Sequence, residues 1–254
     1  AGGRVLAPGF IDTHSHGNAL TDDFSSFLAM GVTTAVLGQD GRSANGDWDG
    51  NEPREIRPMA GWMQAVEANG VQLNVVPLSG HGSLRRIAGI PDSDRAISPA
   101  QQQRLNAALT DDLKAGAFGF STGLEYVPGR YAETSELVPL AQLVAGIDGI
   151  IISHMRTEDE GLIEGAVEEL VSYGDKARIQ ASHLKIVFGK DVKAADSLLA
   201  LIARKQAEGV RLSADVYPYT AGYGGLGLIF PEWAMPPVDY KAVRAARGAE
   251  LRDY

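Results

Sequence analysis

The 254-residue chain contains no cysteine. Disulfide bridges and thiolate metal sites are therefore excluded, and any metal ion must be held by His, Asp, Glu or Lys side chains. The chain also has no uninterrupted apolar run of about 18 residues, and no basic segment followed by an apolar one at its start. The sequence thus predicts neither a membrane span nor a signal peptide, and we expect a cytoplasmic protein.

Basic residues are in the minority. The chain has 23 Lys and Arg against 32 Asp and Glu, for a formal net charge of −9. This balance argues against nucleic acid or an anionic membrane surface as the main partner. We expect a small molecule instead, and the sequence gives no indication of an oligomeric state.

Seven short apolar runs recur along the chain, about one every 30 residues. Each is apolar along most of its length, as expected for strands of a parallel sheet buried on both faces. The predicted strands are residues 9–16, 33–40, 71–80, 117–122, 149–155, 178–185 and 211–219.

Amphipathic segments alternate with these strands. The clearest begins at Ser98 and Pro99, an N-cap followed by proline in the first turn, and several others end at glycine. The predicted helices are residues 22–31, 58–70, 98–116, 134–146, 159–174 and 191–209. Alternation of this kind predicts one α/β domain over residues 1–254, either a doubly wound sheet or a (β/α)₈ barrel. Two long segments, residues 41–58 and 84–98, are interpreted as loops that build a substrate pocket.

The first predicted strand ends in His14-Ser15-His16. Side chains two residues apart in a strand point to the same side, so both imidazoles can grip one metal ion. All five histidines of the chain, namely His14, His16, His81, His154 and His183, fall at or just after the end of a predicted strand. In a parallel barrel these ends face one mouth, which favours a metal site over histidines that only satisfy backbone groups of the core.

Other polar residues occupy equivalent positions. Asp40 closes the second strand and could be an anionic ligand between two ions, or a turn cap before Gly41. Lys185 lies two residues after His183, where it could bind a substrate carboxylate or face solvent.

Three tyrosines are expected near the same rim. Tyr126 follows the fourth strand, and Tyr217 and Tyr219 lie at the seventh. A phenol there can donate a hydrogen bond to a carbonyl oxygen whose charge grows in the transition state, or it can pack in the core.

With these residues in place, the sequence resembles the amidohydrolase superfamily and, within it, the N-acyl-D-amino-acid deacylases. The strings that carry the resemblance are PGFIDTHSHG, GVTTAVLGQDG, GFSTGLEYVPG, ISHMRTE, ASHLK and ADVYPYTAG, which span residues 8–222. The resemblance implies a zinc-dependent (β/α)₈ barrel that hydrolyses the amide bond of N-acyl-D-amino acids with one or two Zn²⁺ ions.

The resemblance also implies residue roles. His14 and His16 would hold the more weakly occupied metal position, and His154 and His183 the tight one. Lys185, Tyr126 and Tyr217 would bind the carboxylate and carbonyl of the substrate, Tyr126 as the oxyanion donor.

The chain departs from the family pattern in several places. Asp40 stands where many of these deacylases carry a cysteine ligand, which should weaken zinc selectivity. Tyr223 replaces a serine of the substrate loop. The catalytic aspartate of the family follows an eighth strand, and only seven βα units are readable here, without the small β-domain that precedes the barrel. We therefore expect an incomplete barrel, in which Asp215 is a weak substitute for the missing base.

Two alternative functions remain open. Cyclic-amide hydrolases of the hydantoinase and dihydroorotase kind use a carboxylated lysine on the fourth strand, where this chain has none, although Glu125 could bridge two metals instead. A catalytically incomplete barrel could also serve as a binding module.

Overall fold

The computed structural model describes residues 2–3, 5–49, 52–187, 189, 191–222, 224, 228, 230–235 and 238–253. The strands in these ranges are β1 (Phe10–Asp12), β2 (Val32–Leu37), β3 (Gly46–Asp49), β4 (Glu52–Ile56), β5 (Asn74–Gly80), β6 (Gly119–Gly123), β7 (Ile150–His154), β8 (Arg178–Ala181) and β9 (Leu212–Ala214). Seven of them form one parallel sheet in the order β1-β2-β5-β6-β7-β8-β9, and β3 pairs with β4 in a separate antiparallel hairpin.

Helices connect successive strands of the sheet. They are α1 (Ser25–Ala29), α2 (Met59–Asn69), α3 (His81–Ile87), α4 (Pro99–Ala115), α5 (Thr134–Ala145), α6 (Ile163–Gly174), α7 (Val192–Ala207) and α8 (Tyr240–Asp253), with short 3₁₀ turns at Gly129–Tyr131 and Glu232–Ala234. No helix in the described part of the chain combines the length and the apolar content that crossing a membrane requires.

The sheet is curled, so that its two edges approach each other at the carboxyl ends of the strands. Gln180 of β8 donates a hydrogen bond to the hydroxyl of Thr13, just after β1, at 3.3 Å. His14 Nδ1 lies 3.3 Å from the carboxylate of Asp215, which follows β9. The alternation left two folds open, and the incomplete barrel that the family resemblance implies is confirmed as a curled half-barrel of seven parallel strands, to which the described residues add no eighth strand.

The apolar core lies mainly between the sheet and the helices that cover its outer face. The largest cluster joins α4, α5, α6 and α7 to β6, β7 and β8, and Phe120 and Ile151 are fully buried in it. Inside the curl, Val36, Leu78 and Ile152 form a small apolar plug. Because the plug fills the interior, the polar residues collect at the mouth above it.

The strands end earlier than the sequence predicts. Residues 13–16, 38–40 and 182–185 lie in turns beyond β1, β2 and β8 rather than in the strands themselves. Some backbone donors of these turns still bind the neighbouring strand, as the Ser182 N–H does at the Ser153 carbonyl at 2.9 Å, whereas side chains accept from others. Asp12, for example, accepts a hydrogen bond from the His14 N–H at 3.0 Å.

The two segments interpreted as loops contain regular structure. Residues 41–58 include β3 and β4, which pair antiparallel and which the sequence analysis missed. The start of residues 84–98 belongs to α3. The sequence analysis also predicted no helix after Tyr219, where α8 lies.

Helix α4 begins and ends as its sequence predicts. The Ser98 hydroxyl accepts a hydrogen bond from the Gln101 N–H, the Gln101 side chain accepts one from the Ser98 N–H, and Gly116 ends the helix in a left-handed conformation. Asp112, near its end, is buried against β5, where its carboxylate accepts a hydrogen bond of 2.6 Å from Ser79. Burial raises the pKa of Asp112 to about 6, although the hydrogen bond from Ser79 opposes the shift.

The substitution Asp112→Asn is expected to stabilise the fold above pH 6. The folded protein keeps the carboxyl protonated up to about pH 6, whereas the unfolded chain loses the proton near its ordinary value of 3.8. Asp112 therefore costs stability as pH rises from about 4 to 6, by at most roughly 3 kcal/mol for a shift of about two pKa units. The amide introduced by the substitution keeps an acceptor for Ser79 without this cost. Urea unfolding of both proteins at pH 4 and pH 7.5 measures the difference, and an equal loss of stability at both pH values would contradict the assignment.

Candidate metal centre

The two histidines after β1 are held over the ends of the first two strands. The Ser15 N–H donates to the carbonyl of Val36 at 3.1 Å, which ties this turn to β2. The side chain of His14 is 12% exposed and that of His16 is 62% exposed. His14 therefore lies at the buried base of the site, and His16 lies at its solvent-exposed edge.

Asp40 lies at the centre of the site. One carboxylate oxygen is 3.8 Å from His14 Nε2 and 3.7 Å from His183 Nε2, and the other is 3.3 Å from His16 Nε2. His154 Nδ1 lies 4.0 Å from the first oxygen. A single carboxylate thus faces four imidazoles from three different strand ends.

The backbone around Asp40 is unusual. Asp40 has φ = 56°, in the left-handed region that few residues other than glycine adopt. The turn is packed against the end of β6, where a Cβ on Gly123 would overlap the carbonyl oxygen of Asp40. The glycine at position 123 is therefore required for the approach that brings Asp40 to the mouth.

His154 and His183 come from neighbouring strands. His154 is the last residue of β7, and His183 follows β8 by two residues with φ = 37°. Their ring centroids are 4.5 Å apart, and the ring of His183 lies 5.2 Å from that of His14. The structure thus confirms the prediction that these histidines, which come from distant parts of the sequence, lie close together.

The electrostatics of the site are governed by these close contacts. Burial opposes ionisation of Asp40, but the imidazoles of His16 and His183, at 3.3 and 3.7 Å, together with the two other nearby imidazoles, hold its pKa well below its usual value. Burial lowers the pKa of His183, yet the carboxylates of Asp40 and Glu158 outweigh it and raise that pKa to about 9. The ionised Asp40 carboxylate and the protonated His183 ring therefore stabilise each other's charges.

The donor set fits a metal ion. Two groups of ligand atoms within 4.8 Å of one another are His14, His16 and Asp40, and Asp40, His154 and His183. Asp40 Oδ1 is buried and accepts no hydrogen bond from any described residue, so it has a lone pair directed into the site. Imidazole nitrogens and a carboxylate oxygen are ordinary zinc ligands.

Carboxylates behind the histidines were largely missed by the sequence analysis. Glu125 lies 2.8 Å from His154 Nε2, and Glu158 lies 2.8 Å from His183 Nδ1, in each case at the ring nitrogen directed away from Asp40. Glu125 therefore does not bridge the two groups that share Asp40, although it forms a third group with His154 and Glu158. No local spacing reveals either contact, because each glutamate and its histidine are 29 and 25 positions apart in the sequence, respectively.

Asp215 is also at the site. Its oxygens accept hydrogen bonds from the His183 N–H at 2.6 Å and from Gln180 Nε2 at 2.5 Å, and His14 Nδ1 is 3.3 Å away. Its contacts with His14 and Gln180 and the His183 N–H lower the pKa of Asp215 against the effect of burial. Since donors of the chain occupy both oxygens, Asp215 fixes the surrounding turns.

The predicted substrate-binding residues are partly brought to the site. Lys185 forms an ion pair with Glu158, and its Nζ lies 5.6 Å from the centre of the Tyr217 ring. The centroid of the Tyr126 ring lies 4.2 Å from that of His154, with the two rings tilted by 45°. Burial and the neighbouring carboxylates raise the pKa of Tyr126, so its hydroxyl keeps its proton. Tyr219 is 75% exposed and 6.4 Å from Tyr217, and Tyr223 lies outside the described residues.

His81 is the one strand-end histidine that does not join the site. It begins α3, and its Nε2 lies 2.7 Å from Glu136 of α5, which also binds Arg85 at 2.8 Å. All three side chains are buried. His81 therefore ties two helices together, which is the core role that the sequence analysis left open.

Several known proteins are similar to this chain in sequence and in structure. The chain is 35% identical over 249 residues to the N-acyl-D-glutamate deacylase of Alcaligenes xylosoxydans xylosoxydans, a match covering 92% of this chain and 50% of the relative. It superposes with a TM-score of 0.75 and 34% identity on the crystal structure of N-acyl-D-glutamate deacylase from Bordetella bronchiseptica, complexed with zinc and a phosphonate inhibitor that mimics the tetrahedral intermediate. That match covers 84% of this chain and 48% of the other. A D-aminoacylase structure, solved to study its binuclear metal centre, matches with a TM-score of 0.74 and 28% identity over 85% of this chain and 48% of its own.

The chain is a homologue of the N-acyl-D-amino-acid deacylases. It spans about half the length of the curated relatives it matches. No family model matches the chain. The homology confirms the resemblance drawn from the strings around His14, Asp40, His154 and His183.

Changing Asp40 to asparagine is expected to weaken zinc binding by more than about 100-fold, since loss of an outer-shell partner alone costs 10- to 100-fold. The carboxylate belongs to both ligand groups, so its loss affects both at once. Competition with a chromophoric chelator measures the affinity, and plasma emission measures the metal content per chain. Asp196→Asn on the exposed face of α7 is the matched control. Unchanged zinc affinity in the Asp40 variant would contradict the assignment.

Proposed function

We propose that the protein hydrolyses the amide bond of N-acyl-D-amino acids and releases a carboxylate and a free D-amino acid. The observation that carries the proposal is the position of Lys185, a cation beside a cluster of metal-ligand type. A linear N-acyl amino acid presents a carbonyl and a carboxylate that these two features can bind at once. The activities of the homologues support the same reaction.

We infer that one or two Zn²⁺ ions are held by His14, His16 and Asp40, and by Asp40, His154 and His183. When bound, a divalent cation there supplies Lewis-acid polarisation of the acyl carbonyl and lowers the pKa of water. The residues of the chain place the substrate relative to that position.

Each substrate-binding residue has a defined task in this scheme. Lys185 pairs with the carboxylate of the amino acid, with Tyr217 beside it. Tyr126, whose hydroxyl keeps its proton, donates a hydrogen bond to the carbonyl oxygen as negative charge develops there. Because both ends of the substrate are held, binding also orients its carbonyl group for the reaction. Tyr223 is retained as a proposed substrate contact on the sequence alone.

The general acid–base group is not assigned to a described residue. Asp215 is a poor candidate, because its oxygens already accept hydrogen bonds from Gln180 and the His183 N–H. We retain the expectation that an aspartate after an eighth strand takes the proton from water and delivers it to the leaving amine.

Three further proposals concern the domain organisation, the binding partner and the location of the protein. We propose that residues 1–254 belong to a single barrel domain, that the partner is a small N-acyl amino acid rather than nucleic acid or a membrane, and that the protein is cytoplasmic. A hydantoinase-like reaction on cyclic amides is less well supported, because no lysine occurs in the fourth-strand segment.

Protein carrying this chain is expected to release free amine from N-acetyl-D-glutamate and related N-acetyl-D-amino acids. Amine derivatisation measures the product, and treatment with a chelator should abolish turnover until zinc is restored. Full activity in metal-free protein would contradict the scheme. Bound zinc without turnover on any N-acyl amino acid would favour a binding module, and turnover of hydantoin or dihydroorotate alone would favour the cyclic-amide reaction.

Lys185→Met is expected to lower kcat/KM for these substrates by about 10- to 100-fold, chiefly through KM. A hydrogen bond to a charged group contributes about 1.5–3 kcal/mol, and this one is made in both the ground state and the transition state. Steady-state kinetics on an N-acyl amine of similar size but without a carboxylate provide the control, since Lys185 has nothing to pair with there. An equal loss on both substrates would show that the lysine only supports the fold.

A further inference from the structure

Glu158 is a buried carboxylate that the proposed reaction does not use. It lies in the connection between β7 and α6, and its side chain is 3% exposed. Its backbone carbonyl accepts a hydrogen bond from the Val187 N–H at 2.9 Å, and an isolated parallel bridge joins Asp159 to Val187. The connection after β7 is thereby fixed to the segment after β8.

The two oxygens of Glu158 have different partners. Oε1 lies 2.8 Å from His183 Nδ1, and Oε2 forms the ion pair with Lys185. The ammonium of Lys185 is also 3.3 Å from His183 Nδ1. One carboxylate therefore connects a candidate metal ligand to the candidate carboxylate-binding cation.

Each contact has a consequence for the partner. Because the carboxylate accepts the proton of His183 Nδ1–H, the ring presents Nε2 to the site, 2.7 Å from His154 Nδ1 and 3.7 Å from Asp40. The same carboxylate holds the Lys185 side chain, which would otherwise sample many rotamers, on one side of that ring. The separation between the metal position and the cation thus depends on one side chain.

We propose that Glu158 is the positioning residue that sets the distance between the reacting carbonyl and the amino-acid carboxylate of the substrate. This inference rests on the proposed function. It explains why the carboxylate is a glutamate: aspartate is one methylene shorter and could not reach both partners from the same backbone position. Glu125 differs from Glu158 in this respect, because its hydrogen-bond partner among the described residues is His154 alone.

The first measurement is zinc affinity, which requires no turnover. Glu158→Gln is isosteric, so we expect it to fold, and circular dichroism checks that it does. The glutamine amide introduced at position 158 can lie in two orientations. With its oxygen toward His183, its N–H groups face the ammonium of Lys185, which cannot accept a hydrogen bond. With the amide reversed, an N–H group faces the Nδ1–H of His183. At least one contact is lost either way. We expect zinc affinity to fall about 10-fold or more in Glu158→Ala, which loses both, and to be unchanged in Glu160→Gln, an exposed neighbour.

The second measurement is a double-mutant cycle at saturating zinc. The quantity compared is kcat/KM for N-acetyl-D-glutamate divided by kcat/KM for an amide of similar size without a carboxylate. Glu158→Gln is expected to lower this ratio at least 10-fold, since misplacing a bound group by about 1 Å can cost 100-fold. In the Lys185→Met background, the same change should lower the ratio no further, because the cation that Glu158 positions is gone.

A third measurement separates failure of this inference from failure of the proposed function. Amine labelling of Lys185, followed by mass spectrometry, should be slow in the parent protein and at least several-fold faster in Glu158→Ala and Glu158→Gln. Absence of turnover in the parent would overturn the proposed function while leaving the zinc and labelling measurements interpretable. Unchanged zinc affinity and unchanged Lys185 labelling in both Glu158 variants, or additive effects in the cycle, would overturn the positioning role.

Discussion

The parallel direction of the strands is the constraint on which the site depends. Because every strand of the curled sheet runs the same way, every turn at a carboxyl end opens on the same mouth. Residues as distant in sequence as His14 and Asp215 then lie 3.3 Å apart. The apolar plug of Val36, Leu78 and Ile152 closes the interior below them, so polar side chains at the strand ends have only the mouth to occupy.

Glycine allows the approach that this arrangement demands. Asp40 is brought to the centre of the mouth by a turn in the left-handed region, packed so closely on β6 that only glycine fits at position 123. The turn is held on its other side by α3, since the Ser83 N–H donates to the carbonyl of Gly41 at 3.2 Å. The conformational cost of the turn is met by packing of this kind, which is typical of backbone strain retained at functional sites.

Much of the fold was predictable, because apolar runs and helix caps are local signals. The seven strands of the curled sheet, six of the helices and the meeting of His14, Asp40, His154 and His183 follow from alternation and from the common direction of parallel strands, whereas α3, α8 and the β3–β4 pair do not. The fate of His81 did not follow, since its ring is drawn to Glu136, a contact between residues 55 positions apart. The roles of Glu125 and Glu158 were equally out of reach without coordinates, because side-chain partners across neighbouring strands leave little periodic signal. The ligand roles themselves remain predictions.

The charge balance of the mouth explains why a cation suits it. Besides Asp40, three further carboxylates contact the histidines, namely Glu125, Glu158 and Asp215, and Lys185 forms an ion pair with Glu158. Buried carboxylates are costly unless a positive charge compensates them. The protons of the His183 imidazolium supply part of this compensation, because the carboxylates of Asp40 and Glu158 raise the pKa of that ring to about 9. A divalent cation would replace those protons and add ligand bonds that a proton cannot make, so metal binding and stability of the folded mouth are thermodynamically linked. A donor set of four imidazoles and one carboxylate, without a thiolate, also discriminates zinc less sharply from harder divalent ions than a set with sulfur ligands would.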